Sequence, residues 1–372
     1  MTDEFRPAEI LAGRLRSLIA SEGPLPVSVF MAEALFDPVA GFYATKDPLG
    51  ADKDFITAPE ISQMFGELAG LWAAECWRLA GAPSTLQLVE LGPGTGRMMS
   101  DALRAGRAAP GFLKAVQVTL VEASPALKMV QGRTLANAPA PVRWASTLEE
   151  APGGASIILA NEFLDCLPIR QAIRVKGVWR ERCVGLHPQD PERFVFVLGP
   201  VLGPGDIGLI PETLRESADG ELVELRPADA LLIETIKARF EDAPGYALFI
   251  DYGSGSPSPG DTLQAIRRHG KVDPLDAPGT ADLTAWADFA NLRRLAGDAG
   301  LQVFGPAGQG AFLGGLGIGA RAAALARGRG EAEQARIERQ LHRLTAPEEM
   351  GTLFKVMAFA APGLPAPPGF DA

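Results

Sequence analysis

Cysteine, histidine and tyrosine each occur only three times in the 372 residues. Cys76, Cys166 and Cys183 have no CxxC spacing, and His187, His269 and His342 are scattered, so neither a disulfide framework nor a zinc site is expected and no metal is assigned. Basic residues are also in deficit, 35 against 45 acids. The net charge of -10 repels phosphate backbones, which argues against a nucleic-acid platform. No apolar run is long enough to cross a bilayer, and the helical stretch EILAGRLRSLIA at 9–20 is interrupted by charges where a signal peptide would need an apolar core. A cytoplasmic protein without a membrane span is the expectation. Internal repeats are absent too.

What is present is a glycine turn. LVELGPGTGRMM, 88–99, runs from an apolar strand ending in Glu90 through Gly92, Gly94 and Gly96 into a helical pattern. Arg97 falls where a dinucleotide fingerprint needs its third Gly, and no Gly-Lys-Ser/Thr follows, so neither a pyrophosphate nor an ATP-type phosphate is the expected ligand. Strands are predicted at 86–91, 116–122, 141–145, 156–161, 246–251 and near 301–304. A final run, LFKVMAFAA, returns antiparallel to complete a seven-stranded sheet. The fold class expected is α/β, a Rossmann-like core. Helical periodicity at 9–20, 26–38 and 61–79 marks an N-terminal cap over 1–84. The core follows at 85–168 and resumes at 229–361, with an inserted β-rich region at 169–228, a polar excursion at 254–284 and a frayed tail at 362–372. Helices are also expected at 285–299 and 316–344.

Three features fall at strand ends, where open α/β sheets bind ligands: Glu90 with its glycines, Glu122 in VTLVEASP, and Asn161-Glu162 in ILANEFLDCLP. A carboxylate ending the second strand suits two vicinal ribose hydroxyls, since it accepts two hydrogen bonds. Acid and amide at the other two ends suit a cationic, phosphate-free ligand. Together they point to S-adenosyl-L-methionine, bound by Glu90, Gly92, Gly94, Gly96, Glu122 and Asn161. Tyr43 and Tyr252 lie in loops where packing and substrate contact are equally open. His269 reads as incidental, and Cys166 as a small buried hydrophobe.

DFITAPEISQMFGELAGLW at 54–72, VELGPGTGRMMSDALR at 89–104, NEFLDCLPIRQ at 161–171, IDYG at 250–253 and DPLDAPGTADLTAWADF at 273–289 resemble the MidA family over nearly the whole chain. Cys166 stands where a small residue such as Ala is usual. The resemblance implies a class I S-adenosyl-L-methionine-dependent methyltransferase acting on arginine. The family includes a mitochondrial complex I assembly factor that methylates a core subunit of that enzyme. The polar DFITAPE segment that precedes the core is expected to cover the cofactor and help shape the substrate entrance through Phe55, Thr57 and Glu60. Arginine stays protonated at neutral pH, so methylation needs acids near the methyl group. Glu162, Asp165 and Asp251 are the candidates, with Asp54 and Glu60 behind them, and Glu162 and Asp251 preferred. A non-catalytic assembly chaperone and a small-molecule or RNA methyltransferase remain as alternatives.

Overall fold

The computed structural model describes residues 5–45 and 57–370. Its centre is a sheet of β1 (Leu86–Leu91), β2 (Val116–Val121), β3 (Val142–Ala145), β4 (Ser156–Asn161), β5 (Gly245–Ser254), β6 (Gln302–Gly308) and β7 (Phe354–Ala360). All seven begin within one residue of the positions expected from hydrophobic patterning. The spatial order is β6-β7-β5-β4-β1-β2-β3, with β7 antiparallel to both neighbours. A two-residue strand, Ala287–Asp288, adds an eighth member along the end of β5.

β1 and β4 are buried at every position, and their alternate side chains feed two cores. Leu86 and Leu88 face a layer built from the helices Gln63–Leu79, Arg97–Gly106 and Ile318–Ala326. Val89 and Leu91 face Pro227–Asp242 and Phe289–Asp298. Covering on both faces is why these strands read as continuous apolar runs. Gln63–Leu79 lies unusually close to Arg97–Gly106 because Gly66 and Gly70 form the seam. A Cβ on Gly70 would stand 2.3 Å from the Ala102 carbonyl oxygen.

Leu91 of β1 pairs with Val121 of β2 on one side and Ala160 of β4 on the other. The chain leaves β1 in one direction and comes back on the opposite side. The carboxyl ends of these three strands therefore open into a crevice at the point where strand order reverses.

Above that crevice sits a second body assembled from distant segments. Leu25–Pro26 joins Arg170–Val175, Val178–His187, Asp190–Val201 and Leu222–Leu225 in a five-stranded sheet. Gln264–Arg267, Gly270–Val272 and Asp282–Thr284 form a three-stranded one. Leu11, Phe30, Val184, Phe194 and Leu283 share one apolar cluster, so the N-terminal helices, the insertion and the excursion pack together. The region expected as one cap, 1–84, thus divides: Phe5–Glu22 and Val27–Phe36 belong to the upper body, while Gln63–Leu79 is a layer of the core.

Two further expectations are corrected. The helix expected at 316–344 is two, Ile318–Ala326 and Glu331–Thr345, separated at Gly328, which has a φ of 74°. The tail is docked rather than frayed through its described part. The Pro365 carbonyl accepts from the Tyr246 hydroxyl, that of Pro368 accepts from the Trp72 indole, and Phe370 packs on Phe304 and Phe312. Among the described residues no helix is long and apolar enough to cross a membrane.

Candidate active site

A cavity of about 700 Å³ occupies the crevice, lined by Glu90, the glycine turn, Glu122, Asn161, Glu162 and Asp165 among others. Seven acids line it against a single cation, Arg97, among the described residues. Such a wall attracts positive ligands and raises the cost of ionising its own carboxyls.

The turn itself explains the glycines. Gly92, Gly94 and Gly96 have φ of 62°, 54° and 79°, a region that L side chains rarely enter. Gly96 starts the helix Arg97–Gly106 with its N-terminal amides toward the cavity end of the sheet. Glu90 is 2% exposed, and its Oε2 has no hydrogen-bond partner among the described residues. Burial alone pushes its carboxyl up to about 8. An unpartnered buried carboxyl in a cavity is costly unless something cationic meets it.

Glu122 is held from both sides. Its Oε1 accepts from the Ser124 amide at 2.8 Å and its Oε2 from Gln131 Nε2 at 3.0 Å. Each oxygen keeps a second lone pair. Gln131 also donates to the Gly94 carbonyl at 2.9 Å and accepts from the Trp144 indole at 2.8 Å, tying the turn to the acid. Nothing in the sequence pattern singled out Gln131, because it sits inside an ordinary helix, Pro125–Thr134.

At the opposite end, Glu162 has a φ of 51°, a strained value for a non-glycine residue. Its Oε1 accepts from the Ala58 amide at 3.1 Å and from Asn161 Nδ2 at 3.0 Å, so among the described residues no hydrogen bond falls on Oε2. Burial raises this carboxyl to about 7, with the charge of Asp165 adding and the Ala58 amide opposing. Burial likewise raises the Asp165 carboxyl above its ordinary value. Asn161 is 8% exposed, and its Oδ1 is buried without a partner among the described residues. Thr57 lines the cavity, and Glu60 accepts from the Thr95 hydroxyl of the glycine turn. Asp54 and Phe55 lie outside the described residues.

Asp251 departs from its expected place. It is fully buried and absent from the cavity wall; Oδ2 accepts from the amides of Leu164 and Asp165 at 2.8 and 3.2 Å, and Oδ1 from Tyr252 at 2.8 Å. It braces the turn after β4 rather than meeting a ligand. Tyr252 is also buried, edge-on to Phe354, whereas Tyr43 lines the cavity and donates to Asp282 at 3.1 Å. Cys166 lines the cavity with a thiol pushed up by burial, which suits a packing role. His269 lies in an exposed hairpin turn away from the cavity. Asp282, on the inserted three-stranded sheet, is a wall residue that the strand-end pattern passed over.

An S-adenosyl group fits these residues. The orphaned Glu90 oxygen has acceptor capacity for an amino-acid ammonium, the glycine turn leaves room for close approach of a ligand to the backbone, and Glu122 retains acceptor capacity for hydroxyls.

Comparison with known proteins agrees. Residues 68–307 match a family model described as "Putative S-adenosyl-L-methionine-dependent methyltransferase". The protein arginine methyltransferase NDUFAF7, mitochondrial, of Danio rerio is 37% identical over 92% of this chain and 84% of its own length. The Homo sapiens protein of that name is 35% identical over 95% and 83%. A crystal structure of a Burkholderia thailandensis protein bound to S-adenosyl-homocysteine superposes with a TM-score of 0.83 at 27% identity, covering 100% of this chain and 95% of that one. The expectation of a cytoplasmic location is corrected, since the names of these curated relatives place them in the mitochondrion. With the fold, the crevice and the relatives in agreement, the chain belongs to this family of S-adenosyl-L-methionine-dependent methyltransferases, the MidA family.

Proposed function

We propose that this methyltransferase modifies an arginine of a protein substrate, a core subunit of respiratory complex I. The observation that carries the reading is Glu162, a carboxyl poised near neutrality at the acid-lined end of the cavity, with one oxygen held and the other without a partner among the described residues. The naming of the relatives as protein arginine methyltransferases supports the choice of target residue, and the MidA resemblance supports the choice of protein.

When bound, S-adenosyl-L-methionine supplies a methyl group on a positively charged sulfur. Glu90 pairs with its ammonium, the turn at Gly92, Gly94 and Gly96 lets the backbone approach, Glu122 takes the ribose hydroxyls and Thr57 closes one side. The protein has two further tasks, which are to align a guanidinium nitrogen and to take its proton. As the N–CH3 bond forms and the S–CH3 bond breaks, the proton passes from that nitrogen to Glu162 Oε2. Asp165 keeps the pocket negative and Asp251 holds the turn that carries both acids.

The test is transfer of labelled methyl to a peptide from a terminus of the complex I subunit, with an Arg→Lys twin as control. Label on arginine alone is expected. Equal label on both peptides rejects arginine specificity, and none on either peptide or on the intact subunit rejects the substrate and favours an assembly role without catalysis.

A further inference from the structure

The helix pair Ile318–Ala326 and Glu331–Thr345 is basic in an acidic chain. Residues 318–345 hold six arginines against three glutamates, whereas the whole chain carries a net charge of -10. Such a stretch is ordinarily a solvated face laced with ion pairs. Here the lacing is incomplete. Arg321 is held by Glu67 and Arg336 by Glu333, but among the described residues no ion pair or hydrogen bond falls on the guanidinium of Arg327, Arg329, Arg339 or Arg343. Arg336, Arg339 and Arg343 recur at i, i+3 and i+7, so they share one face of Glu331–Thr345, beside the buried Ile337 and Leu344.

That face adjoins the active site. A second cavity, of about 190 Å³, is lined by Arg329, Arg336 and Gln340 from the basic segment and by Ser62 and Gln63 from the start of Gln63–Leu79. Glu60 and Arg97 line both cavities, so the two are neighbours. Two acids share the smaller one. Glu333 is engaged by Arg336 and Glu60 accepts from the Thr95 hydroxyl, which leaves Arg97 and Arg329 as guanidiniums without a partner among the described residues. The positive end of the helix Gln63–Leu79 adds to their field. Farther along the helix, burial raises the Glu162 carboxyl and the charge of Arg343 is among the influences that oppose it. The row of arginines therefore runs from the smaller cavity toward the acid that takes the substrate proton. From Arg336 to Arg343 it covers about 10 Å, the length of about three residues of extended chain.

Resting on the protein-substrate reading above, we propose that this arginine row is a docking surface for an acidic stretch of the substrate protein that flanks the target arginine. Charge complementarity selects the occupant. A basic surface beside the cavity attracts carboxylates and repels further cations, so it favours segments whose target arginine has acidic neighbours. Guanidiniums also match carboxylates in a two-bonded fork, which an ammonium does not. Nucleic acid is the other polyanion that such a row could meet, but a long phosphate backbone feels the repulsion of the whole acidic chain. A peptide a few residues long meets only the local field, because exposed charges are screened beyond about 8 Å at physiological salt. Choice of the sequence around the methylated residue is thereby assigned to the C-terminal helix, while the core holds the cofactor.

The experiment titrates short peptides with one central arginine, flanked by glutamates, glutamines or lysines, into the protein loaded with S-adenosyl-homocysteine, and follows the same peptides in methyl transfer. Wild type should bind the glutamate peptide about three- to tenfold more tightly than the glutamine one, as expected of a few exposed ion pairs, and the lysine peptide least. High salt should close the gap. Arg329→Gln combined with Arg336→Gln should erase most of the preference, which in turnover appears as a raised KM with kcat changed far less. S-adenosyl-homocysteine affinity should stay near wild type, which certifies the fold. Arg343 is left intact because Glu162 feels its charge. Arg336→Glu should shift the order toward lysine flanks, a result that lost structure cannot imitate. Equal binding of glutamate and glutamine peptides by wild type, or a preference untouched by the double substitution, overturns the docking surface and leaves the methyltransferase reading standing. A flank preference that is intact while no arginine peptide accepts a methyl group upholds the surface and overturns the arginine reading instead.

Discussion

The substitution Glu90→Gln should stabilise the ligand-free protein and weaken cofactor binding, with both effects tied to one proton. The carboxyl is 2% exposed, and burial moves it from 4.5 to about 8. In the folded state it therefore keeps a proton that the unfolded chain releases above its ordinary value. Stability consequently falls as pH rises from about 4.5 to about 8. At about 1.4 kcal/mol per unit, the handicap reaches about 5 kcal/mol above pH 8 and vanishes below pH 4.5. The amide introduced by Glu90→Gln would fill the same volume without titrating. Urea unfolding of the two proteins from pH 5 to pH 9 should give curves that converge in acid and diverge steadily toward alkali, the variant lying higher. All other raised acids are common to both, so the difference isolates this group. Calorimetry with S-adenosyl-homocysteine supplies the other half. Its ammonium needs Glu90 ionised, so at pH 7 binding by wild type should release close to one proton, read from the dependence of heat on buffer. The variant should release about one fewer and lose roughly 1.5–3 kcal/mol of affinity, the range for a hydrogen bond to a charged group. Parallel stability curves, or equal proton release, would refute the placement of an ionisable buried Glu90 against the cofactor.

Methyl transfer should rise with pH through a midpoint near 7, where Glu162 loses its proton, to a plateau above it, and Glu162→Gln should flatten that limb and lower kcat by about 10²–10⁴, as for loss of a general base. A variant with an unchanged profile removes Glu162 from proton transfer. Gly70→Ala should destabilise by about 1–3 kcal/mol or more, because its Cβ would overlap the Ala102 backbone and force two helices apart; a melting temperature within error of wild type contradicts the close seam. Glu67 is 4% exposed and accepts from Arg104 at 2.9 Å and from Arg321 at 2.7 and 2.8 Å, and its removal leaves two arginines that reach solvent, so Glu67→Ala should cost about 1–3 kcal/mol in denaturant unfolding. A loss below about 1 kcal/mol would mean the clamp is no stronger than a surface ion pair.

The framework and the cofactor end of the site are legible in the chain alone. β1, β4 and β5 are buried on both faces, so their apolar runs are visible without a partner, and strand starts are placed within a residue. Glycines with positive φ and acids at strand ends are equally local, because their roles follow from backbone geometry and from where a strand stops. Which acids meet the cavity was settled only by the folded arrangement. Asp251 and Glu162 both come at the end of an apolar run and look alike in the chain, yet three backbone amides capture Asp251 while Glu162 keeps one oxygen open among the described residues. Asp282 and Tyr43 come together from positions 239 residues apart, across a sheet whose existence depends on the N-terminal helices packing against it. Gln131 reaches the glycine turn from a helix whose pattern marks nothing special. Local periodicity specifies elements and their ends, but a carboxylate's partners are set by whichever distant segments fold over it, and that depends on packing between layers rather than on any stretch of sequence.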